Sequence, residues 1–600
     1  MNTFFNRSNL FIAGALLLTA VFAPRAALAQ QQIDSRVDIA WNRYYDFEEC
    51  EQIMRRLADA YPELLTLKSI GKSEQGRDMW LMILNNPETG PHEDKPAMWI
   101  DGSIHANEIQ STETTLYSIW YLASAYGQVK PLTELVDRVA FYFLPIVNPD
   151  GRAAWFEGPA TPHMFRSGLR PTDLDFDGRK DEDGPDDLTE TGSINIMWRP
   201  DPHGTHRRNP KDPRIFERVG PDETGDWSFA GWEGVDRDGD GRRNEDGPGG
   251  YDMNRNWPSD WQPNHVQRGA GDYPFSYPET RAVGMFILDH PNIAAGQAYH
   301  NTGGMLLRGP GAAYNEAIYP RSDIQVYDKL GKAGEEMLPH YNYWVIHADL
   351  YTVHGGFVNW LAEGLGIISF TNELWTDRRI LQSGQNPTAE QRMRWQDRVL
   401  FGQTFDDWQE YDHPELGPVL IGGGTKFSSR TPPPFMLEEE CHRNFAFTVF
   451  HAMNMPEISF GWTEVKRAGA PGNAEGSDLW RITLEIDNKR IIPTRTGIAA
   501  QRGIGTPDRL TLSGEGVEVV AAGTLGHRFD RTMTPTQQSP HRPHIVLSED
   551  GVPGEGRRTY RFFVRAAEGA ELTLRYTAEK ARDIETTIRI EEGVIESAEF

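Results

Sequence analysis

The sequence predicts an α/β fold: a mixed, largely parallel central sheet flanked by helices, followed by a C-terminal antiparallel domain of β-sandwich character. Three observations carry this. Apolar runs such as Ala97–Ile100 and Val139–Val147 alternate with helix-periodic segments up to about residue 457. Runs with no polar face are what a sheet covered on both sides requires. Four of the runs lead into chemically capable side chains: His105 with Glu108, Asn148 with Asp150, His300, and Glu373. In open α/β sheets, ligands bind at the carboxyl ends of the strands. From residue 458 the texture changes to alternating, β-rich stretches such as Leu479–Ile486, Thr559–Val564 and Glu571–Tyr576, separated by Gly, Pro and Ser. That is the pattern of antiparallel strands.

Taken in order, residues 1–29 read as an export signal, with Arg7, an apolar stretch from Leu10 to Phe22, and Ala27-Leu28-Ala29 as a small-residue cleavage site. The apolar stretch is too short to span a bilayer. The expectation is a secreted or periplasmic protein with no transmembrane segment after signal removal. Residues 44–61 place Tyr45, Phe47, Ile53, Met54, Leu57 and Tyr61 on one face of a helix that Pro62 ends. Strands follow at 65–70 and 79–84 around the turn Ser73–Arg77. A helix is expected over 116–126, a buried strand over 139–147, a helix over 282–288 and a strand over 365–370. Leu437, Cys441, Phe445 and Val449 recur every four residues and mark a late helix. The domain bearing the candidate site is thus placed at 30–457, with acidic-loop insertions at about 160–250, and the β-rich domain at 458–600.

A formal charge of −27 excludes a nucleic-acid binder, which needs a basic face, and suits an extracytoplasmic protein kept soluble by repulsion. Only Cys50 and Cys441 are present. Export permits a disulfide between them, and a pair of buried thiols fits equally well. A thiol-built metal site is excluded by the count.

His105-x-x-Glu108 follows one apolar run and His300 ends another. Two imidazoles and a carboxylate leave the fourth position of Zn2+ open, which distinguishes a catalytic from a structural zinc. Alongside them stand Met197-Trp198-Arg199, Asp252-Met-Asn254-Arg255-Asn256-Trp257, Tyr351-x-x-x-Gly355-Gly356 and Phe370-Thr-Asn-Glu373-Leu. With these motifs, in this order over residues 40–455, the chain resembles the zinc carboxypeptidases of the carboxypeptidase A/B type, the funnelins. The resemblance implies that His105, Glu108 and His300 hold zinc and that Glu373 is general base and then general acid. It implies that Arg199 faces the developing oxyanion and that Asn254 and Arg255 grip a free C-terminal carboxylate, with Tyr351 capping that end. Val358 matches the determinant of the side-chain pocket, and an apolar residue there favours apolar C-terminal residues. The partners implied are peptide or protein C-termini. The chain departs from the pattern at Asn107, where an Arg is frequent in the family, and in the long stretch from Arg199 to Asn254. That stretch also holds His203-x-x-His206, read as solvated loop histidines. Two rival functions share the same residues: a peptidase or amidase acting on cell-wall stem peptides, and an inactive binding or adhesion protein.

The insertion contains a repeat. Asp173, Asp175, Asp177, Asp181 and Asp183 recur 63 residues on as Asp236, Asp238, Asp240, Asn244 and Asp246, each set with a Gly after its third acid. Carboxylates at positions one, three and five of a tight loop supply the hard oxygens that Ca2+ takes. Position twelve is Gly184 or Gly247, not the bidentate Glu of an EF-hand. The expectation is either two calcium loops of another kind, stiffening the rim of the site, or acidic solvated loops.

Overall fold

A computed structural model describes residues 33–159, 166–173, 176–245, 247, 249, 251–469, 478–535 and 541–595. The expected export signal lies outside these residues, as do Asp175 and Asp246.

The central sheet has eight strands. In spatial order they are Leu65–Lys72, Asp78–Leu84, Ala140–Leu144, Ala97–Asp101, Ile293–Asn301, Ile368–Leu374, Met305–Arg308 and Asn342–Val345. The four in the middle, from Ala140–Leu144 to Ile368–Leu374, run parallel to one another. Their residues alternate between two cores. Met98, Ile100, Phe141 and Phe143 face one apolar layer, and Ala97, Trp99, Tyr142 and Leu144 face the other. That double burial is why the strands read as unbroken apolar runs.

Helix and strand boundaries depart from expectation where polar residues are buried. The helix expected at 116–126 spans Gln110–Ala125, and its first turns, from Gln110 to Thr115, are buried. They hold the fully buried pair Glu113–Arg152, 2.6 Å apart. Glu113 also accepts from the Tyr45 amide, and Arg152 donates to the Ile109 carbonyl. The strand expected at 139–147 stops at Leu144, because Asn148 caps the helix Pro149–Glu157 by accepting from the Gly151 amide. The strand expected at 365–370 begins at Ile368. Leu365 still belongs to the helix Phe357–Leu365, which ends at Gly366 in a left-handed conformation.

The insertion is more ordered than its acidic loops suggested. Ile196–Gly204, His206–Arg208, Phe216–Arg218 and Gly225–Trp232 join Phe405–His413 and Gly417–Gly424 in a six-stranded antiparallel sheet. Its strands are short and largely half-exposed, with Pro and charges within them, so period-two alternation is weak.

Cys50 and Cys441 are both buried free thiols. Burial raises both thiols above the ordinary range. Among the described residues, no helix is long and apolar enough to cross a membrane.

The C-terminal region forms a six-stranded and a four-stranded antiparallel sheet. Both contribute to one core that includes Trp480, Ile482, Leu484, Leu510, Leu512, Phe562 and Leu574. Its contacts with the rest of the chain include one to the central sheet and others to the helices that flank it. The buried Lys580 donates to the Ile293 carbonyl at 2.6 Å. Asp323 accepts from the Gly497 and Ile498 amides, each at 2.8 Å. Thr496 donates to the Gly366 carbonyl.

Replacing Arg152 with Met is expected to strand the Glu113 charge. Denaturant unfolding should then show a loss of about 3–5 kcal/mol, the range for breaking one side of a buried pair. A loss below about 1 kcal/mol would mean that Glu113 is neutral in the fold.

Candidate metal centre and active site

The parallel register decides which residues meet. Glu373 lies directly beside His300 on adjacent parallel strands, and Asp101 lies beside Ala298 on the other flank. After Asp101 the chain turns sharply. Gly102 packs so close to the Ser111 carbonyl that a β-carbon there would sit 2.7 Å from it. The turn carries His105 and Glu108 over the strand ends.

His105, Glu108 and His300 are each at most 2% exposed, and their ligand atoms all lie within 4.8 Å of one another. His105 Nδ1 is 3.0 Å from Glu108 Oε1. His300 Nδ1 is 2.9 Å from Glu108 Oε2 and 3.1 Å from His105 Nδ1. Tetrahedral zinc with bonds of about 2.0–2.1 Å sets its ligands about 3.3 Å apart, so these spacings fit the ion. Two ring nitrogens facing each other are also a natural cradle for a cation. The outer side of the centre fits as well. His105 Nε2 is 3.0 Å from Asp252 Oδ1, the carboxylate–histidine arrangement that orients a metal-binding ring.

Glu108 is pulled up by burial, but the His105 and His300 imidazoles outweigh that and hold it well below the ordinary carboxylate range. Asp252 behaves alike, with Arg166, His105 and Arg255 overcoming burial. Glu373 goes the other way. Burial, reinforced by Glu108, pushes it up to about 7 against the pull of His300, Arg166 and Arg430. One carboxylate held ionised beside one poised near neutrality is an arrangement that could divide the work of metal ligand and proton carrier.

The segment Met253–Arg255 is a single turn started by Asp252, which accepts from the Asn254 amide at 2.8 Å. The Asn254 side chain accepts from the Phe357 amide at 2.9 Å, and Arg255 is buried. Gly355 makes this docking possible. Its φ is +62°, and a β-carbon would lie 2.3 Å from the Arg255 carbonyl oxygen. Tyr351 follows the turn Ile346–Leu350 and is half-exposed. Val358 is buried in the apolar layer that also holds Trp257, Phe357 and Trp360.

Among the described residues, Arg199 has no hydrogen bond or ion pair with His105, Glu108, His300 or Glu373. It sits in the inserted sheet, its side chain 47% exposed and 4.0 Å from Asp201. Two other arginines are at the centre. Arg166 donates to Asp252 Oδ2 at 3.1 Å and to Glu108 Oε1 at 3.3 Å. Arg430 donates to Glu108 Oε1 at 3.3 Å and to the Asn301 carbonyl at 2.7 Å. A signal for Arg166 was present, since Met164-Phe165-Arg166 has the same Met-aromatic-Arg pattern as Met197-Trp198-Arg199. Nothing in the sequence marked Arg430. His206 stacks edge-on against Trp198, and His203 and His206 are in no cluster of potential ligands among the described residues. The acidic loops do converge: Asp177, Glu182 and Asp238 form one group, Asp183, Asp238 and Glu245 a second, and Asp236, Asp238 and Asp240 a third.

Fold and centre together define a catalytic-type metal site on an α/β sheet. The zinc carboxypeptidase family, peptidase M14, matches residues 50–395, more than half of the chain, and the chain belongs to that family. Residues 465–589 match a domain of unknown function, DUF8731. Carboxypeptidase D of Rattus norvegicus is 29% identical over 145 residues, covering 24% of this chain and 10% of that protein. Carboxypeptidase B of Astacus astacus is 34% identical over 116 residues, covering 19% of this chain and 36% of that protein. The chain thus spans about a tenth of the length of the first relative and about a third of the second. Among solved structures, thrombin activatable fibrinolysis inhibitor shares 17% identity at a TM-score of 0.42, over 69% of this chain and 74% of that one. Carboxypeptidase A from Helicoverpa armigera shares 20% at 0.38, over 58% and 69%.

Asp252→Asn is expected to weaken zinc binding about 10–100-fold, the usual effect of losing a carboxylate behind a metal-binding histidine. Competition against a chromogenic chelator measures it. Unchanged affinity would show that Asp252 does not orient His105.

Proposed function

We propose that the chain is an exported zinc-dependent metallocarboxypeptidase that hydrolyses the C-terminal peptide bond of peptides and favours apolar terminal residues. The observation that carries this is the meeting of His105, Glu108 and His300 with Glu373 at neighbouring strand ends, beside a turn that presents Asn254 and Arg255.

His105, Glu108 and His300 would hold the ion. Bound there, zinc supplies Lewis acidity, making a water more acidic and polarising the scissile carbonyl. Glu373, half-buried and poised near neutrality, takes the proton of the attacking water and delivers it to the leaving amine. Arg166 takes the oxyanion role first expected of Arg199, because a fixed guanidinium acts most strongly on charge that appears in the transition state. Arg255 meets the substrate carboxylate with its planar fork, helped by Asn254, and Tyr351, half-exposed at the rim, covers that end. Val358 contributes an apolar wall. The short apolar leader and cleavage site at 1–29 support export to the periplasm or medium. Calcium at the acidic loops serves the insertion and takes no part in hydrolysis.

Glu373→Gln is expected to lower kcat about 10²–10⁴-fold with zinc content unchanged. Wild-type turnover would refute the assigned role. Arg166→Met should cost about 10²–10³-fold in kcat, while Arg199→Met leaves it unaltered. Because Glu373 must be ionised to accept a proton, kcat/KM should fall with decreasing pH through a limb above the ordinary Glu value of 4.5 and no higher than about 7. A limb at or below 4.5 would contradict this. Mass spectrometry of mixed peptides and cell-wall fragments, with and without a chelator, tests the whole reading. Loss of single apolar C-terminal residues, abolished by the chelator, is the expected result. Cleavage of wall fragments alone would transfer the activity to stem peptides.

A further inference from the structure

The two acidic repeats face each other. Asp238, from the second loop, belongs to all three carboxylate groups, meeting Asp177, Glu182 and Asp183 of the first loop as well as Glu245, Asp236 and Asp240 of its own. Gly247 lies against Gly184 and Pro185, and Arg237 donates to the Gly184 carbonyl at 3.0 Å. Within each loop the leading aspartate folds the turn, Asp173 accepting from the Phe176 and Gly178 amides and Asp236 from those of Gly239 and Gly241. The repeats are therefore built alike and docked on one another.

Asp183 adds an independent observation. It is 1% exposed, and neither carboxylate oxygen has a hydrogen-bond partner. Glu245, in the same group, also has both oxygens buried and without a partner. Four orphan carboxylate oxygens beside a third acid, Asp238, are costly unless a cation joins them. The ligand atoms of each group lie within 4.8 Å of one another, about the span of two Ca–O bonds of 2.3–2.6 Å. With oxygen donors only, the set suits a hard cation.

We propose that the two loops form a single shared Ca2+ cage, centred on Asp183, Asp238 and Glu245, rather than two separate calcium loops. This rests on the reading of the loops as calcium sites and goes beyond it in what the ion does. The first loop precedes the strands Ile196–Trp232 of the inserted sheet and the second follows them, so the ion clasps the two ends of the insertion. The same loops adjoin the segments that deliver Arg166 and Asp252. Those segments already touch, the Arg170 amide donating to the Tyr251 hydroxyl at 2.9 Å. The clasp fixes how far apart the two lie.

The test is calorimetric titration of CaCl2 into the zinc-loaded full-length protein in excess Mg2+, with melting followed in parallel. Ca2+ is expected to bind and to raise the melting temperature by at least about 5 °C at saturation. Asp238→Asn, half-exposed and outside any core, should abolish all binding, whereas Asp222→Asn on the exposed edge of the insertion should not. Asp183→Asn should raise the melting temperature of the calcium-free protein, by removing an unpaired buried charge, and cancel the gain from Ca2+; a merely structural aspartate would lose stability in both states. Absence of Ca2+ binding by the wild-type protein overturns both the calcium reading and the cage. Retention of half the bound calcium in Asp238→Asn leaves the loops as calcium sites and overturns the sharing.

Discussion

Everything at the centre depends on keeping one buried carboxylate ionised. Glu108 is buried, and burial alone would neutralise it. Two imidazoles and two guanidinium groups surround it instead, and those groups come from four separate parts of the chain. The central sheet brings the two imidazoles together, and Arg166 and Arg430 reach Glu108 from segments outside it. Four parallel strands end at one edge, and the side chains that follow those ends have no room except over that edge. The same crowding raises Glu373, which shares the cavity with Glu108 but lacks its direct bonds to the cations.

Much of this was legible from the chain. The apolar runs located the parallel strands because both faces of the sheet are covered, and the candidate ligands and Glu373 stood at or just after the ends of those runs. Less visible were features that arise only from packing. Gln110–Thr115 carries no amphipathic signal, because its polar side chains bond to buried carbonyls and side chains instead of to solvent. The inserted sheet was missed because its half-exposed strands are short, and two of its six members, Phe405–His413 and Gly417–Gly424, come from about 200 residues further on. Arg199 illustrates a different limit. The Met-aromatic-Arg pattern occurs twice, and spacing alone does not tell that the Arg166 copy bonds Glu108 while the Arg199 copy pairs with Asp201. Arg430 carries no local motif and reaches Glu108 only through tertiary structure.

The insertion and the centre are linked in a way that sequence order conceals. Arg166 precedes the inserted sheet and Asp252 follows it, yet the two are bonded at 3.1 Å. About eighty residues therefore leave from and return to nearly one point. Such an excursion is tolerated because closing a loop costs entropy that grows only slowly with its length. The paired acidic loops sit where the excursion leaves and returns.

Lys580 has a consequence of its own. Its ammonium group, buried and depressed to about 8 by desolvation, donates to the carbonyl of Ile293, the first residue of the strand whose eighth residue is His300. The β-rich module therefore grips the root of a strand whose tip holds a ligand. It is less an appended passenger than a bracket on the peptidase frame. Excising it would bare the apolar patch that Ile492 and Ile498 now help to cover, so a shortened chain would need new polar side chains there before it could stand alone.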